Sequence, residues 1–355
     1  MKKKILIINK KQFGYLTDSY KYCLENRKFY NITLICMDAG FNKFKIKGID
    51  VIYISIRGGL LLRGYQFIRA CIIECNKKDY DVAFLIYFNF CSLIKLFSDK
   101  KFILDIRTGA VGGTAIKRYL INKLMFIESI LFNKISVISE SLRDFLKIPK
   151  SKSIILPLGA DVVSSISKNF DSLKLLYIGT FNHRNIHETI LGLFKFINQY
   201  QISEITYDIV GFGSVAEEKL IKDTILENNL NKIITFHGRK AHIECEELFN
   251  NCNVGISYIP ITDYYHCQPP TKTFEYINSG MICLGTSTKE NAKLINTTNG
   301  VLCLDNPIDF CRALNNIYLN KNEFNSKLIA KSLSDYTWKK IGTKFRRLIE
   351  DTSKL

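Results

Sequence analysis

Short apolar runs rich in β-branched residues alternate with amphipathic segments along the chain. In the first half these runs are ILIIN (5–9), ITLICM (32–37), VIYIS (51–55), VAFLIY (82–87), FILDI (102–106) and ISVIS (135–139). Between them lie segments such as GYQFIRACIIECNKK, in which apolar residues return every three or four positions, as on one face of a helix. Apolar strands separated by such helices predict a parallel sheet that is covered on both faces.

The alternation stops at LPLGADVVSSISKNFDSLK (156–174), a stretch rich in Pro, Gly, Ser and Asp that we interpret as a linker. It then restarts with a second set of apolar runs. These are LKLLYIG (173–179), YDIVGFG (207–213), KIITFHG (232–238), NVGISYI (253–259), MICLGT (281–286) and GVLCL (300–304). A chain of 355 residues is also longer than one compact core usually holds.

The pattern therefore predicts an α/β protein with two Rossmann-like, doubly wound domains that face a cleft. The predicted domains are residues 1–160 and 161–335. Residues 336–355 are predicted to form a basic helix that packs back toward the first domain, with one apolar stripe of Trp338, Ile341, Phe345 and Leu348. In sheets of this kind ligands bind outside the carboxyl ends of the strands, so the cleft is the expected site.

The net charge of +17, from 50 basic and 33 acidic side chains, suggests a polyanionic partner such as nucleic acid or an anionic membrane face. The alternative is a general excess of lysine in the composition. Two segments that combine basic and apolar residues, RGGLLLRGYQFIRACIIECNKK and IKRYLINKLMFIESILFNK, suit an anionic membrane interface, although such stripes are more often core.

The eleven cysteines form no C-x-x-C pair, which argues against a disulfide framework and indicates a reducing compartment. The apolar run near the start is too short for a signal peptide, and no run of 18 apolar residues exists. We therefore expect a cytoplasmic protein, with peripheral contact to the inner face of the cell membrane as a further expectation. His183 and His187 lack an intervening acid and a third ligand, so no metal site is predicted.

Three strand-to-helix junctions of the second half carry candidate chemistry. In YIGTFNHRNIHETI, Gly179 ends a strand and Arg184 precedes a helix. The positive end of the helix and the arginine together suit a diphosphate, although Arg184 is equally compatible with a solvated surface position.

The second junction, IVGFGSVAEEKL, places Gly211, Gly213 and Ala216 in the loose dinucleotide pattern G-x-G-x-x-A. A nicotinamide site is disfavoured because this is the second strand of its half, and HGRK stands where a ribose-binding acid is expected. The glycines more plainly let the backbone approach a ligand or a neighbouring loop.

The third junction is QPPTKTFEYINSG, in which Thr271 is predicted to cap a helix that Gly280 ends. Lys272 and Glu275 share one face of this helix, opposite core positions. A lysine suits phosphate oxygens, and a carboxylate suits a ribose diol. The alternative is an ordinary surface ion pair.

Taken together, LPLGAD, LLYIGTFNHRNIHETI, VGFGS, ITFHGR, NVGISYIP and PPTKTFEYINSGMICLGT resemble the ordered motifs of nucleotide-sugar-dependent glycosyltransferases with the GT-B fold, in particular the large family four. The resemblance covers residues 150–350 well and the first half in pattern only. It implies a second domain that binds a nucleotide diphosphate sugar, a first domain that meets the acceptor, retaining chemistry and no metal cofactor.

The resemblance also assigns roles to residues. It implies that Arg184 holds the diphosphate, that Lys272 lies near the phosphates, that Glu275 binds the ribose, and that the backbone around Gly238 and Arg239 flanks the base. Where the family has the first of two glutamates this chain has Cys267, so His266 or Gln268 is expected to contact the sugar instead. Where the family often has an arginine, this chain has Thr180.

In the first half, Gly14 follows the first strand, where a small residue lets the loop close over the diphosphate. Asp105 and Arg107, in LDIRTGAVGG, stand at the carboxyl end of a strand. There an acid suits the activation of an acceptor hydroxyl and an arginine suits phosphate charge, while the alternative is a strand-end salt bridge.

The leading hypothesis is therefore a glycosyltransferase that moves a sugar from a nucleotide diphosphate donor to a lipid-linked glycan in surface-polysaccharide synthesis. The alternatives are a nucleotide-sugar epimerase of the same fold, a non-catalytic homologue and, less favoured, a nucleic-acid-binding protein. The last would require one continuous basic and aromatic track, and no concentrated segment of that kind is present.

Overall fold

The structure, a computed structural model, describes residues 2–77 and 79–354. Contacts between residues divide the chain into two compact units. The first unit is Met1–Gly159 together with Trp338–Leu355, and the second unit is Ala160–Thr337.

The first unit contains a parallel sheet of seven strands in the order β3-β2-β1-β4-β5-β6-β7. Its central strands are buried on both faces, as their apolar sequences predict. The strands are β1 (Lys4–Asn9), β2 (Asn31–Met37), β3 (Ile49–Ile54), β4 (Val82–Ile86), β5 (Phe102–Ile106), β6 (Ile135–Val137) and β7 (Ser153–Ile155). The helices are α1 (Thr17–Asn26), α2 (Leu60–Lys77), α3 (Ser92–Leu96), α4 (Ala115–Ile130) and α5 (Glu140–Phe145).

The second unit contains a parallel sheet of six strands in the order β10-β9-β8-β11-β12-β13. The strands are β8 (Leu173–Thr180), β9 (Ile205–Phe212), β10 (Ile234–Gly238), β11 (Val254–Ser257), β12 (Ile282–Thr286) and β13 (Gly300–Cys303). The helices are α6 (His187–Tyr200), α7 (Val215–Glu227), α8 (Glu246–Asn251), α9 (Thr271–Asn278), α10 (Asn291–Leu294), α11 (Pro307–Leu319) and α12 (Ser326–Ser332).

The last helix, α13 (Trp338–Lys354), belongs to the first unit. Its apolar stripe is buried, and the ring of Phe345 stacks on Tyr22 at 4.8 Å between centroids and meets Phe84 edge-on at 4.9 Å. Aromatic pairs at these distances add to the free energy gained by burial. The helix therefore completes the core that β4 and α1 begin.

The α/β fold class with two doubly wound sheets is confirmed, and each predicted apolar run contains a strand. The run ISVIS ends early because Ser139 leaves the strand and caps α5, accepting a hydrogen bond from the Leu142 amide at 3.1 Å. The sequence prediction missed β7, which has three residues and is too short to show a pattern. Among the described residues no helix is both long and apolar enough to cross a bilayer.

Candidate functional site

A pocket of about 370 Å³ opens in the second unit at the carboxyl ends of β8 and β11. Its walls are residues 177–180, residues 256–259, residues 268–272, Arg184 and Tyr265. The strand order runs outward in opposite directions from β8 and β11, so the pocket lies at the topological switch point of the sheet. Parallel sheets of this type bind ligands at that point.

Arg184 reaches this pocket from the loop between β8 and α6. Its guanidinium carbon lies 4.1 Å from the centroid of the Tyr265 ring, a cation–π contact that fixes its direction. The residues on either side, His183 and Asn185, have left-handed backbones with φ of 55° and 53°. Residues other than glycine rarely adopt this backbone conformation. A hydrogen bond from the His183 amide to Glu217 Oε1 at 2.7 Å helps to hold it.

One nitrogen of Arg184, Nη1, is buried and has no hydrogen-bond partner among the described residues. The same is true of Gln268 Nε2, which also belongs to a residue of the pocket wall. Buried donors of this kind are rare because their desolvation is costly unless a partner is supplied. Two of them at one pocket indicate a ligand that offers acceptor oxygens.

Lys272 and Glu275 form an ion pair in the first turns of α9, with 2.5 Å between Lys272 Nζ and Glu275 Oε2. Lys272 lines the pocket, whereas the Glu275 side chain is only 8% exposed and lies behind it. The ion pair that the sequence left as an alternative is therefore present, at the pocket wall. The prediction that Thr271 caps α9 is wrong: Pro270 is the N-cap, with its φ of −74° set by the ring, and Thr271 is the first helical residue.

Of the two residues expected beside the sugar, only Gln268 is in the pocket wall. His266 is half-buried outside it, and its Nδ1 accepts a hydrogen bond from the Lys289 amide at 3.2 Å. Cys267, between them, is buried, and burial raises the pKa of its thiol. A neutral thiol of this kind is a weak hydrogen-bonding group and does not replace a carboxylate.

The glycines at the ends of β9 and β10 lie outside the described pocket wall. A Cβ atom on Gly211 would stand 1.9 Å from the carbonyl oxygen of Gly179, and one on Gly213 would stand 2.9 Å from Phe181 Cβ. These two glycines therefore allow the close approach of a neighbouring segment, one of the two roles considered from the sequence. Gly238 ends β10 with φ of +67°, and the guanidinium of Arg239 stacks 4.6 Å from the ring centroid of Phe212.

Asp105 and Arg107 lie in the first unit within a buried polar cluster. Arg107 Nε donates to Asp18 Oδ2 at 2.9 Å, and Arg107 Nη1 donates to the Leu156 carbonyl at 2.7 Å. Asp105 is fully buried, accepts a hydrogen bond from Ser136 Oγ at 2.6 Å and lies 3.9 Å from Arg107 Nε. The geometry therefore agrees with the alternative of a strand-end salt bridge. The catalytic role of Asp105 and Arg107 stays a prediction, and the burial of both side chains does not support it.

Burial raises the pKa of Asp105 to about 6, against the opposing effect of the Arg107 charge. Gly14 has φ of +92°, a backbone that favours glycine. That the loop carrying Gly14 closes over a diphosphate stays a prediction.

The sequence prediction missed the tyrosines of the pocket. Tyr177, Tyr258 and Tyr265 all line it, and Tyr258 donates a hydrogen bond from its hydroxyl to Glu188 Oε2 at 2.5 Å. The available signal was the segment SYIPITDYYHC, where aromatic residues cluster directly after a predicted strand. Aromatic residues with polar ends are common in ligand pockets.

No protein-family model matches the chain, and no curated protein matches it in sequence. Solved structures do match. Sucrose-phosphate synthase from Thermosynechococcus elongatus has a TM-score of 0.75 at 14% identity, with 99% of each chain covered. The lipopolysaccharide outer core galactosyltransferase WaaB has a TM-score of 0.75 at 15% identity, covering 99% of this chain and 100% of WaaB.

HepE from Anabaena, solved in complex with UDP, has a TM-score of 0.73 at 11% identity and covers 99% of this chain and 100% of its own. At these identities the likeness shows the fold. The fold agrees with the motifs described above. The chain has two parallel sheets, the second sheet has a pocket at its switch point, and the structural similarity extends over the whole chain. The chain has the GT-B fold of the glycosyltransferases that it resembles.

Proposed function

We propose that this chain is a glycosyltransferase that binds a nucleotide diphosphate sugar in the pocket of the second unit and transfers the sugar to a glycan acceptor. The observation that carries the proposal is the pair of cationic side chains, Arg184 and Lys272, at one pocket on the switch point of the sheet. A diphosphate offers an acceptor oxygen to Arg184 Nη1, which has no partner among the described residues, and further acceptor oxygens to Lys272 Nζ beside its ion pair with Glu275.

Each part of the donor has a counterpart. The diphosphate lies against Arg184, Lys272 and the first turn of α9, whose free amides and dipole favour negative charge. Glu275 exchanges its contact with Lys272 for the ribose hydroxyls. Gln268 Nε2 donates to the sugar, in the position left by the glutamate that Cys267 replaces. Gly238 and Arg239 flank the base.

Known structures of this fold support the choice of donor. HepE was solved with UDP-glucose, and a trehalose-6-phosphate structure from E. coli was solved with UDP-2-fluoro glucose. The diphosphate is also the leaving group, so the cations that bind it stabilise the charge that develops during transfer. In the proposed reaction no metal ion takes part, and a chelator leaves the rate unchanged.

The finer parts of the proposal rest on the motif resemblance: retention of anomeric configuration, a lipid-linked acceptor and a role in surface-polysaccharide synthesis. Peripheral contact with an anionic membrane face fits the net charge of +17. It also fits Leu60 and Leu61, whose side chains are exposed rather than packed in the core. A cytoplasmic location would bring the enzyme to both of its substrates.

Titration calorimetry of the full chain with UDP-, GDP- and ADP-glucose tests the proposal. One nucleotide sugar should bind, and Arg184→Ala should weaken its binding by about tenfold or more, because a charge-assisted hydrogen bond contributes roughly 1.5–3 kcal/mol. Arg312→Ala removes an arginine from the surface of α11 in the same unit and should leave the affinity unchanged.

Two results would contradict the proposal. In the first, none of the nucleotide sugars binds, as expected of a non-catalytic homologue that has lost the donor site. In the second, the bound nucleotide sugar is converted at the same rate with and without a glycan, as expected of an epimerase.

A further inference from the structure

Three exposed aromatic side chains meet at the carboxyl ends of β1 and β2. Tyr15 lies in the loop after β1, and Phe41 and Phe44 lie in the loop after β2. They are 45%, 53% and 41% exposed. The ring centroid of Tyr15 is 4.6 Å from that of Phe41 and 6.0 Å from that of Phe44. We call these three residues the aromatic platform. None of them lines the pocket of the second unit, so the proposed donor site gives them no role.

A buried glutamine joins the two loops that carry the platform. Gln12 Oε1 accepts a hydrogen bond from the Ala39 amide at 2.8 Å, and Gln12 Nε2 donates to the Phe41 carbonyl at 2.8 Å and to the Asn42 carbonyl at 3.2 Å. The side chain is almost fully buried, so water does not compete for these bonds. The loop after β2 is therefore held in one conformation, and a ligand would pay little to order it.

Gly14 makes room for the third ring. A Cβ atom at this position would stand 2.5 Å from two carbon atoms of the Phe44 ring. The ring therefore lies directly over the backbone of the loop after β1. The Tyr15 ring is tilted by 31° against Phe41 and by 52° against Phe44, so the three rings form one packed cluster rather than three independent side chains.

Positive charge surrounds the platform within the same two loops. Lys10 and Lys11 precede Tyr15, and Lys43, Lys45 and Lys47 alternate with the residues around Phe44. All five are exposed. The carboxylate of Asp38 pairs with Lys43 at 2.7 Å, which leaves an excess of positive charge. Such an excess attracts an anionic partner and weakens with added salt.

We propose that the aromatic platform is the acceptor subsite and that it binds an anionic glycan, a sugar chain that carries carboxylate or phosphate groups. This inference rests on the proposed glycosyltransferase function and names its acceptor class. The rings pack against the apolar C–H face of a pyranose, and their rigid side chains lose little entropy on binding. The lysines bind the acidic groups of the same chain.

Rings and lysines together also suit a single-stranded nucleic acid. The position of the platform favours the glycan, because the carboxyl edge of a parallel sheet is where α/β enzymes bind their substrates. The platform is also a compact surface on two adjoining loops, whereas a nucleic acid strand needs a continuous basic track.

Calorimetric titrations of the full chain with tetragalacturonate and with maltotetraose test the inference, since these oligosaccharides have equal length and differ in charge. Tetragalacturonate should bind more tightly, and added salt should remove the difference. Tyr15→Ala combined with Phe41→Ala should weaken the binding of both by about tenfold, the loss expected for two aromatic contacts. Phe97→Ala combined with Phe145→Ala, two exposed rings elsewhere in the first unit, should have no effect.

A second pair of variants separates charge from stacking. Lys45→Gln with Lys47→Gln should abolish the preference for the acidic oligosaccharide, and Lys219→Gln with Lys232→Gln in the second unit should retain it. Equal binding of the two oligosaccharides, or unchanged binding after the Tyr15 and Phe41 substitutions, would overturn the inference, as would tighter binding of oligothymidylate. If nucleotide-sugar binding by the same samples persists in those cases, only the acceptor inference fails; if it is also lost, the proposed function fails.

Discussion

At the scale of single residues, the buried cluster around Arg107 has an unbalanced charge. Two carboxylates, Asp18 and Asp105, share one guanidinium, and Tyr22 lies against it with its ring 5.9 Å from the guanidinium carbon. Each of these four residues has one buried polar atom without a hydrogen-bond partner among the described residues. Keeping both acids ionised is therefore costly, and protonating Asp105 relieves the cost.

This imbalance predicts a dependence of stability on pH. Asp105 has a pKa of about 6 in the folded protein, above its ordinary value of 3.8. The folded state thus binds the proton more tightly, and the stabilisation is complete below about pH 4 and lost as the pH rises through about 6. Asp105→Asn should remove this fall in the free energy of unfolding between about pH 4 and pH 7, because it keeps the side-chain shape and carries no charge.

Urea unfolding at several pH values measures the effect, and Trp338, the single tryptophan of the chain, reports on the first unit by fluorescence. Asp79→Asn is the matched control, since that carboxylate is fully exposed. A fall of the same size in Asp105→Asn and in the unchanged protein would show that another group is responsible.

At the scale of elements, the close pairing of β8 with β9 depends on Gly211. The two strands are in register with Gly179 opposite Gly211, and the carbonyl of Gly179 occupies the space that a side chain would need. The end of β8 forms a wall of the pocket, so a change in the spacing between β8 and β9 would also move that wall.

Gly211→Ala should lower the free energy of unfolding of the second unit by about 3 kcal/mol, the upper part of the range for overpacked positions. Gly64→Ala is the matched control: it lies inside α2 with no heavy atom within 4 Å of the added carbon, so it should raise stability by roughly 0.5–1 kcal/mol. Urea unfolding followed by circular dichroism measures both changes. An unchanged Gly211→Ala variant would mean that β8 and β9 separate at little cost.

The elements were predictable from the sequence because apolar strands and amphipathic helices leave a local pattern. Ser139 shows the limit: it looks like the end of a strand, and its hydroxyl caps a helix instead. The position of Arg184 was predictable as a helix start, but its contact with Tyr265 was not, since it depends on two left-handed residues and on a loop 81 positions further along the chain. The buried cluster around Asp105 was not predictable either, because it depends on Ser136, which donates to Asp105, and on Asp18, which accepts from Arg107, and both are distant in the sequence.

At the scale of the whole molecule, charge and apolar surface coincide at the start of α2. Leu60 and Leu61 are 86% and 89% exposed, and Arg57 and Arg63 flank them. Neither arginine forms an ion pair with an acid in the described part of the chain. Apolar side chains between unpaired cations are typical of a segment that enters the interface of an anionic membrane.

Leu60→Ser combined with Leu61→Ser should therefore reduce sedimentation with vesicles of phosphatidylcholine and phosphatidylglycerol by about tenfold, because roughly 2 kcal/mol or more of burial is lost. Leu319→Ser with Leu328→Ser, two exposed leucines of the second unit, should sediment like the unchanged protein. Equal loss in both pairs, or none in the first, would show that α2 does not carry the contact.

The return of α13 to the first unit has a consequence for biosynthesis. Residues 160–337 are contiguous, so the second unit can fold as soon as its own segment leaves the ribosome. The first unit must wait for Phe345 and its neighbours, which are translated after the whole of the second unit. Nascent β1 to β7 therefore spend the synthesis of some 180 further residues with Tyr22 and Phe84 uncovered, and chaperones that shield aromatic surface would act on this half of the protein.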